Sequence, residues 1–202
     1  MRQQTGSGRE RLVEAAAGQL WANGYAATSP ADIQRAAGAG QGSMYHHFSG
    51  KAELARAAIE RLASELDHEL GAALDSDRPG LERVLAYLER ERDPLRGCRV
   101  GRLTGDPDVI GQELLRAPVS ASFTRLQGRL ASALADAQRA GELDPVLDPA
   151  ALAASVAAVV QGGYVLARAE RDPAAFQRAI DGARQLLANA KPSNHENGRS
   201  KR

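Results

Sequence analysis

The chain is poor in aromatic residues. They make up 4% of its 202 residues, with a single tryptophan, although hydrophobic residues as a whole reach 43%. Alanine and leucine must therefore supply most of any packed core. Together with Arg, Glu and Gln they favour helix. Runs of Val, Ile and Thr alternating with polar residues are lacking, which argues against a sheet. There is one cysteine, Cys98, so no intrachain disulfide can form, and the expected location is cytoplasmic. No apolar core follows Arg2 as a secretory signal would require, and no run approaches the ~20 apolar residues of a membrane span. The most apolar stretch, 150–160, is short and continues through Gln161 into a Gly pair. It reads as a buried helix, and no membrane partner is expected. An excess of charge is lacking too. The net charge is +1, which by itself selects no partner. Its distribution is more telling: residues 1–51 carry five basic groups (Arg2, Arg9, Arg11, Arg35, Lys51) against three acids (Glu10, Glu14, Asp32). A near-neutral chain with a modestly basic N-terminal end suits a protein that meets DNA with that end.

Helix punctuation organises the chain. Ser7 with Glu10 has capping-box spacing, and Leu12, Ala16 and Leu20 mark a buried stripe that Asn23-Gly24 ends. Ser29, Pro30 and Asp32 form a sharper start signal, for a helix to about Ala37. Gly38-Ala39-Gly40 turns the chain, a third short helix spans about 41–47, and a fourth runs from Ser49-Gly50 to about Leu74. On the fourth, Leu54, Ala58, Leu62, Leu66 and Leu70 share one face. Beyond Pro79-Gly80 the pattern predicts helices at about 80–92, 108–116, 119–140, 149–170 and 173–189, with an irregular stretch at 93–107. The tail from Lys191 is polar and expected to be disordered. The fold class is all-α, with about nine helices. An N-terminal three-helix helix-turn-helix domain at 7–52 joins a larger helical ligand-binding and dimerisation bundle at 53–190, followed by a disordered tail at 191–202.

Two helices joined by a short Gly-containing turn are the helix-turn-helix pattern. Ala36, Ala37, Gly38 and Ala39 let the helices meet closely. Met44 and Phe48 face inward, leaving Gly42, Ser43, Tyr45 and His46 on the other side. Near the start of such a helix, Gln41 can pair with adenine and Ser43 can touch a thymine methyl. Tyr45 and Lys51 suit phosphates, which fix register, and the Ser29 helix start can donate N–H groups to another phosphate.

These residues resemble the tetracycline-repressor (TetR) family of transcriptional regulators. Gly24-Tyr25, Thr28-Ser29 leading to Asp32-Ile33, Ala37-Gly38, Gly42, Tyr45, His47-Phe48, and Lys51 with Leu54 stand at the family's spacing. The Gly97-Cys98-Arg99-Val100 segment and the Ala-rich end are similar to the LmrA/YxaF-type subgroup. The resemblance implies DNA-contacting positions at Gln41, Gly42, Ser43, Tyr45 and His46, and phosphate-facing or structural ones at Thr28, Ser29, His47 and Lys51. Two positions depart from the pattern: Gly40 replaces a frequent Ser or Thr cap, and Ala39 replaces a larger apolar residue. The resemblance also implies a double-stranded DNA operator, a homodimer, and an unidentified small-molecule effector held in the C-terminal bundle. The expected function is a ligand-responsive regulator, a repressor that binds a palindromic operator as a dimer and is released when the effector binds.

Candidate effector contacts, taken from position, are Arg102, Phe123, Leu126, Gln161 and Tyr164. Ala151, Ala154, Ser155, Ala158 and Gly162, continued by Gly163, give the face expected at the dimer interface. The Gly38-x-Gly40-x-Gly42 spacing follows a helix, so it is not a nucleotide-binding loop. His46 and His47 point about 100° apart on a helix, and no Cys or carboxylate joins them, so no metal is expected. Cys98 has Arg96, Arg99 and Arg102 nearby, which would favour a thiolate, against the simpler role of packing. The Glu60, Glu65, Asp67, His68 and Glu69 cluster reads as a solvated helix face. No catalytic constellation is evident, so neither an enzyme nor a cofactor is expected. The alternatives are a helical enzyme or small-molecule carrier, and a helix-turn-helix used for protein contacts.

Overall fold

The computed structural model describes residues 7–40 and 42–192. Among them lie nine α-helices and no strand: α1 Gly8–Asn23, α2 Pro30–Ala36, α3 Ser43–His47, α4 Lys51–Leu74, α5 Gly80–Glu89, α6 Pro107–Gly111, α7 Glu113–Arg139, α8 Pro149–Glu170 and α9 Pro173–Asn189, with a 3-10 turn at Gly101–Gly105 between α5 and α6. Gln41 and residues 193–202, most of the expected tail, lie outside the described residues.

The helix starts follow local chemistry. Ser7 Oγ accepts from the Glu10 amide at 3.2 Å while the Glu10 carboxylate accepts from the Ser7 amide at 2.7 Å. Ser29 and Asp32 repeat the reciprocal arrangement at the start of α2. Each such cap stabilises its helix by about 1 kcal/mol. Asp106, Asp148 and Asp172 cap α6, α8 and α9, each followed by Pro at the first helical position.

The expected spans of about 108–116 and 119–140 put a break between the sixth and seventh helices at 117–118. The break lies instead at Gln112, which is extended, and α7 carries Pro118 in its second turn. There the proline forfeits one hydrogen bond, to the Leu114 carbonyl on an exposed side of the helix, so water can replace the missing partner.

Two cores stack along α4. The first joins α1, α2 and α3 with Leu54 to Ala63 of α4, and with Val100, Leu103, Val109, Leu115 and Val119. The second collects Leu70 and Leu74 with the inward faces of α5, α7, α8 and α9. Leu66 and Cys98 touch both cores. The packing boundary therefore falls within α4.

Two glycines set helix approach. A Cβ on Gly80 would stand 2.2 Å from the Ala133 carbonyl oxygen and 2.5 Å from the Ala137 nitrogen, so the start of α5 rests directly on the backbone of α7. A Cβ on Gly163 would meet the Phe176 ring at 2.9 Å. Gly163 is therefore buried between α8 and α9 and is not part of an outer face, contrary to the expectation for the Gly pair.

Acidic residues of α4 are not merely solvated. Glu65 pairs with Arg61 and Arg99, Glu69 with Arg90 and Arg99, and Asp67 with Arg125 and Arg129. They tie the upper half of α4 to the segment after α5 and to α7.

Candidate functional site

The α2–α3 pair is closed by a turn that needs Gly38, whose φ is +60°. The Ala39 amide donates to the Gln34 carbonyl at 2.9 Å, and the Ser43 amide to the Gly40 carbonyl at 2.9 Å. The start of α3 has no side-chain cap, the consequence of a small-residue turn at Gly40 and Gly42. The helix is accordingly short. Met44 and Phe48 are buried and anchor it to the first core.

Tyr45 is 64% exposed, and His46 and Gly42 are also exposed. Ser43 is half-buried. His47 lies under the start of α1, where a Cβ on Gly8 would touch its Nε2 at 3.2 Å, and its ring meets His46 edge-on. The Lys51 ammonium sits 4.0 Å from the centre of the Tyr25 ring, a cation–π contact at the base of α4. Of the two roles expected at Thr28, phosphate-facing or structural, the structure has the second. The residue is 1% exposed, and its hydroxyl donates to the Gly24 carbonyl at 2.6 Å, so it holds the α1–α2 turn and does not face a phosphate. The Ser29 hydroxyl is likewise committed, donating to Asp32 at 2.5 Å. The Asp32 carboxylate occupies that helix start, and its pKa is lowered chiefly by its hydrogen bonds with Ser29. Arg9, which the sequence reading did not single out, lies over the Phe48 ring at 5.1 Å, beside the end of α3.

The segment between α5 and α6 clamps α1. Trp21 Nε1 donates to the Gly97 carbonyl at 3.1 Å, and the Arg96 guanidinium stacks 3.3 Å from the centre of the Trp21 ring. Arg102 Nη1 donates to the Trp21 carbonyl at 2.6 Å. A few residues on, Asp106 Oδ2 accepts from the amides of Tyr25 and Ala26 at 2.8 and 2.9 Å. The α1–α2 corner is thus hung from residues 97–106. No local sequence signal marks these partners, because each pair is brought together only by the tertiary fold.

The same segment borders an interior cavity between α4, α5, α7 and α8. Its free volume is about 20 Å³, the room of one water molecule. Phe123, Leu126, Gln161 and Tyr164 all line it, as do Leu66 and Cys98. Arg102 does not: its guanidinium is spent on the Trp21 clamp, and it is withdrawn as a cavity residue. Tyr87, Arg90 and Arg92, which the sequence reading did not name, form the polar end. A larger cleft of about 350 Å³ opens beside it and shares Leu66, Arg90, Arg92, Cys98 and Tyr164, with Trp21 on its far wall.

On the outer side, Ala151, Ala154, Ser155, Ala158 and Gly162 are all exposed along one face of α8, continued by Val165 and Leu166 and by Leu186 of α9, which is 73% exposed. This helix is 22 residues long and holds an 18-residue window with a mean hydropathy of 1.7, long and apolar enough to cross a membrane on those two measures.

Among known proteins, the family described as bacterial regulatory proteins, tetR family, matches residues 12–58, and the tetracyclin repressor-like C-terminal domain matches residues 78–183. The chain belongs to the TetR family of ligand-responsive, non-enzymatic transcriptional regulators. It is 29% identical over 171 residues to the transcriptional regulator AcuR of Cereibacter sphaeroides, covering 81% of this chain and 78% of that one. It is 27% identical over 116 residues to the HTH-type transcriptional regulator YxaF of Bacillus subtilis, covering 54% and 61%. A TetR transcriptional regulator from Chloroflexus aurantiacus superposes with a TM-score of 0.80 at 26% identity, covering 91% of this chain and 96% of that structure.

Proposed function

We propose that this chain is a homodimeric repressor that binds a palindromic operator through α3 and releases it when a small molecule enters the interior cavity. The observation that carries this reading is the clamp on Trp21, which ties the cavity wall to the helix that supports α2 and α3. Residues 7–52 act as the DNA-binding unit and 53–190 as the effector and dimerisation unit. Gly42, Ser43, Tyr45 and His46 face the groove. Lys51 and Arg9 flank it, and His47 orients α3.

One recognition helix of this size contacts too little DNA for tight specific binding, so two must act together. The exposed apolar face of α8 with Leu186 supports a two-fold interface there. That role also accounts for its hydropathy without a membrane, and a protein that acts on chromosomal DNA works in the cytoplasm.

The cavity is too small for an organic molecule, so binding must part its walls. Leu66 on α4 and Cys98 beside the Trp21 clamp move first, since they border both cores. Two half-sites need recognition helices about 34–36 Å apart, and a shift of a few ångströms in α1 and α4 loses one of them. Phe123, Leu126, Gln161 and Tyr164 are the effector contacts in this reading.

Selection of bound fragments from random DNA tests it: a palindromic site is expected to emerge at physiological salt. Failure to enrich any palindrome sinks the repressor reading.

A further inference from the structure

The polar end of the interior cavity holds a buried positive charge that no carboxylate answers. Arg92 carries it. Its guanidinium is largely buried, and desolvation lowers its pKa. Its Nη1 donates to the carbonyls of Leu88 and Arg90 at 2.9 and 2.7 Å, and its Nη2 to that of Tyr87 at 2.5 Å. It stands 5.0 Å from the centre of the Tyr87 ring and 5.8 Å from that of Phe176. Among the described residues no carboxylate pairs with it, whereas its neighbours Arg90 and Arg99 share Glu69.

The plain alternative is that Arg92 only closes the C-terminus of α5, whose last carbonyls it holds. A helix C-terminus supplies about half an elementary negative charge, so part of the buried positive charge stays uncompensated. Two further donors point the same way. Arg90 Nε is closed to solvent and has no acceptor. Tyr164 is 8% exposed and lines the cavity. Burial pushes its pKa up to about 12, so the phenol keeps its proton and remains a donor. The hydroxyl lies within the field of both Arg92 and Arg90. The rest of the lining is mostly hydrocarbon, with Leu66, Val100, Phe123, Leu126 and Val160 interrupted by Cys98, Ser122 and Gln161.

We propose that the molecule this cavity takes is a small apolar carboxylate. Its anionic head pairs with Arg92 and accepts from Tyr164, and its hydrocarbon part lies against Phe123, Leu126 and Val160. A neutral or cationic molecule leaves the Arg92 charge unanswered. A phosphate or sulfate would have to shed a stronger hydration shell into apolar walls. The adjoining cleft, which shares Arg90, Arg92 and Tyr164 with the cavity, is the way in. The inference rests on the reading of this cavity as the effector site, but its test does not require DNA.

Calorimetric titration of the full chain, without DNA, with butyrate, hexanoate and benzoate and with their neutral amides tests it. At least one carboxylate is expected to bind with a Kd below about 1 mM, and its amide about tenfold or more weakly. Tyr164→Phe is expected to weaken carboxylate binding severalfold, and Arg92→Met to abolish it. Should Arg92→Met fail to fold, Arg92→Lys, which keeps the charge but loses the fork, is expected to weaken binding while leaving the amides unaffected. The proposal is overturned if no carboxylate binds, if amides bind as well as acids, or if folded variants bind like the parent. Carboxylate binding that leaves operator affinity unchanged would overturn the release mechanism and leave this inference standing. Release of operator by other compounds, with no carboxylate bound, would do the reverse.

Discussion

Tyr45 and Thr28 are both polar residues in the same helix-turn-helix, and they have opposite fates. Tyr45 is exposed beside His46, whereas Thr28 is sealed in the α1–α2 turn. Tyr45→Ala is expected to weaken operator binding by about 1 kcal/mol or more per protomer, the worth of one hydrogen bond, without changing Tm. Thr28→Val is expected to lower Tm, because it strands the Gly24 carbonyl. Gel-shift and thermal denaturation together separate the two roles. Gly80→Ala must push a methyl against the backbone of α7 and is expected to cost about 1–3 kcal/mol, the range for overpacking. Buried tyrosines set the alkaline limit. Burial raises the pKa values of Tyr25, Tyr87 and Tyr164 above the ordinary 10.0. Below pH 10 both folded and unfolded chains keep these protons, so stability is level. As pH rises from about 10 towards 12, the unfolded chain loses protons that the folded one retains, and stability falls. Denaturant midpoints across that range check the sign. At this scale the caps at Ser7 and Ser29 were legible in the sequence, because capping is local. Arg92 was not, because its meaning depends on which carboxylates the fold keeps away from it.

Helix boundaries were largely legible, since Pro, Gly and the capping residues punctuate α1, α2, α4, α8 and α9. The exception, α7, shows the limit of that punctuation. The expected helices at about 108–116 and 119–140 leave a gap that contains Pro118, yet α7 continues through it, held on both sides by buried Leu115, Val119 and Ser122. Tertiary burial there outweighs one missing hydrogen bond. Pro118→Ala restores that bond and is expected to raise stability by about 1 kcal/mol or more, within the ~3 kcal/mol cost of an interior proline, readable as an upward shift in Tm. For α8 the small-residue face was legible as a stripe, but its division was not. Gly162 is open while Gly163 is filled by Phe176, a distinction made only by where α9 crosses. Ala158→Arg on the open face is expected to convert a dimer to a monomer in analytical ultracentrifugation. A dimer that persists unchanged would move the interface elsewhere.

At the scale of the molecule, two cores meet at Leu66 and Cys98, and the segment 93–106 leans on both. In the proposed release mechanism, this shared packing couples the lower core to the upper cavity. Trp21 is the only tryptophan in the chain, so its fluorescence reports on the clamp directly. Binding in the cavity is expected to change that signal, and Arg102→Met is expected to reduce the coupling between cavity and DNA by about 0.5–2 kcal/mol while leaving cavity affinity intact. The sequence carried the α2–α3 pair and its turn, because a helix-turn-helix is short and contiguous. It carried the cavity only in part, because Tyr87, Arg90, Arg92 and Leu66 come from separate elements that converge only on folding.

The central claim is that this molecule is a dimer reading a two-fold DNA site. Binding of the full chain to fragments selected from random DNA, measured at rising salt, tests it most directly. The account predicts an enriched palindrome whose affinity falls steeply with salt as phosphate contacts release counterions, and which Tyr45→Ala no longer binds tightly. Enrichment of no palindrome, or a salt response that is flat, would contradict it.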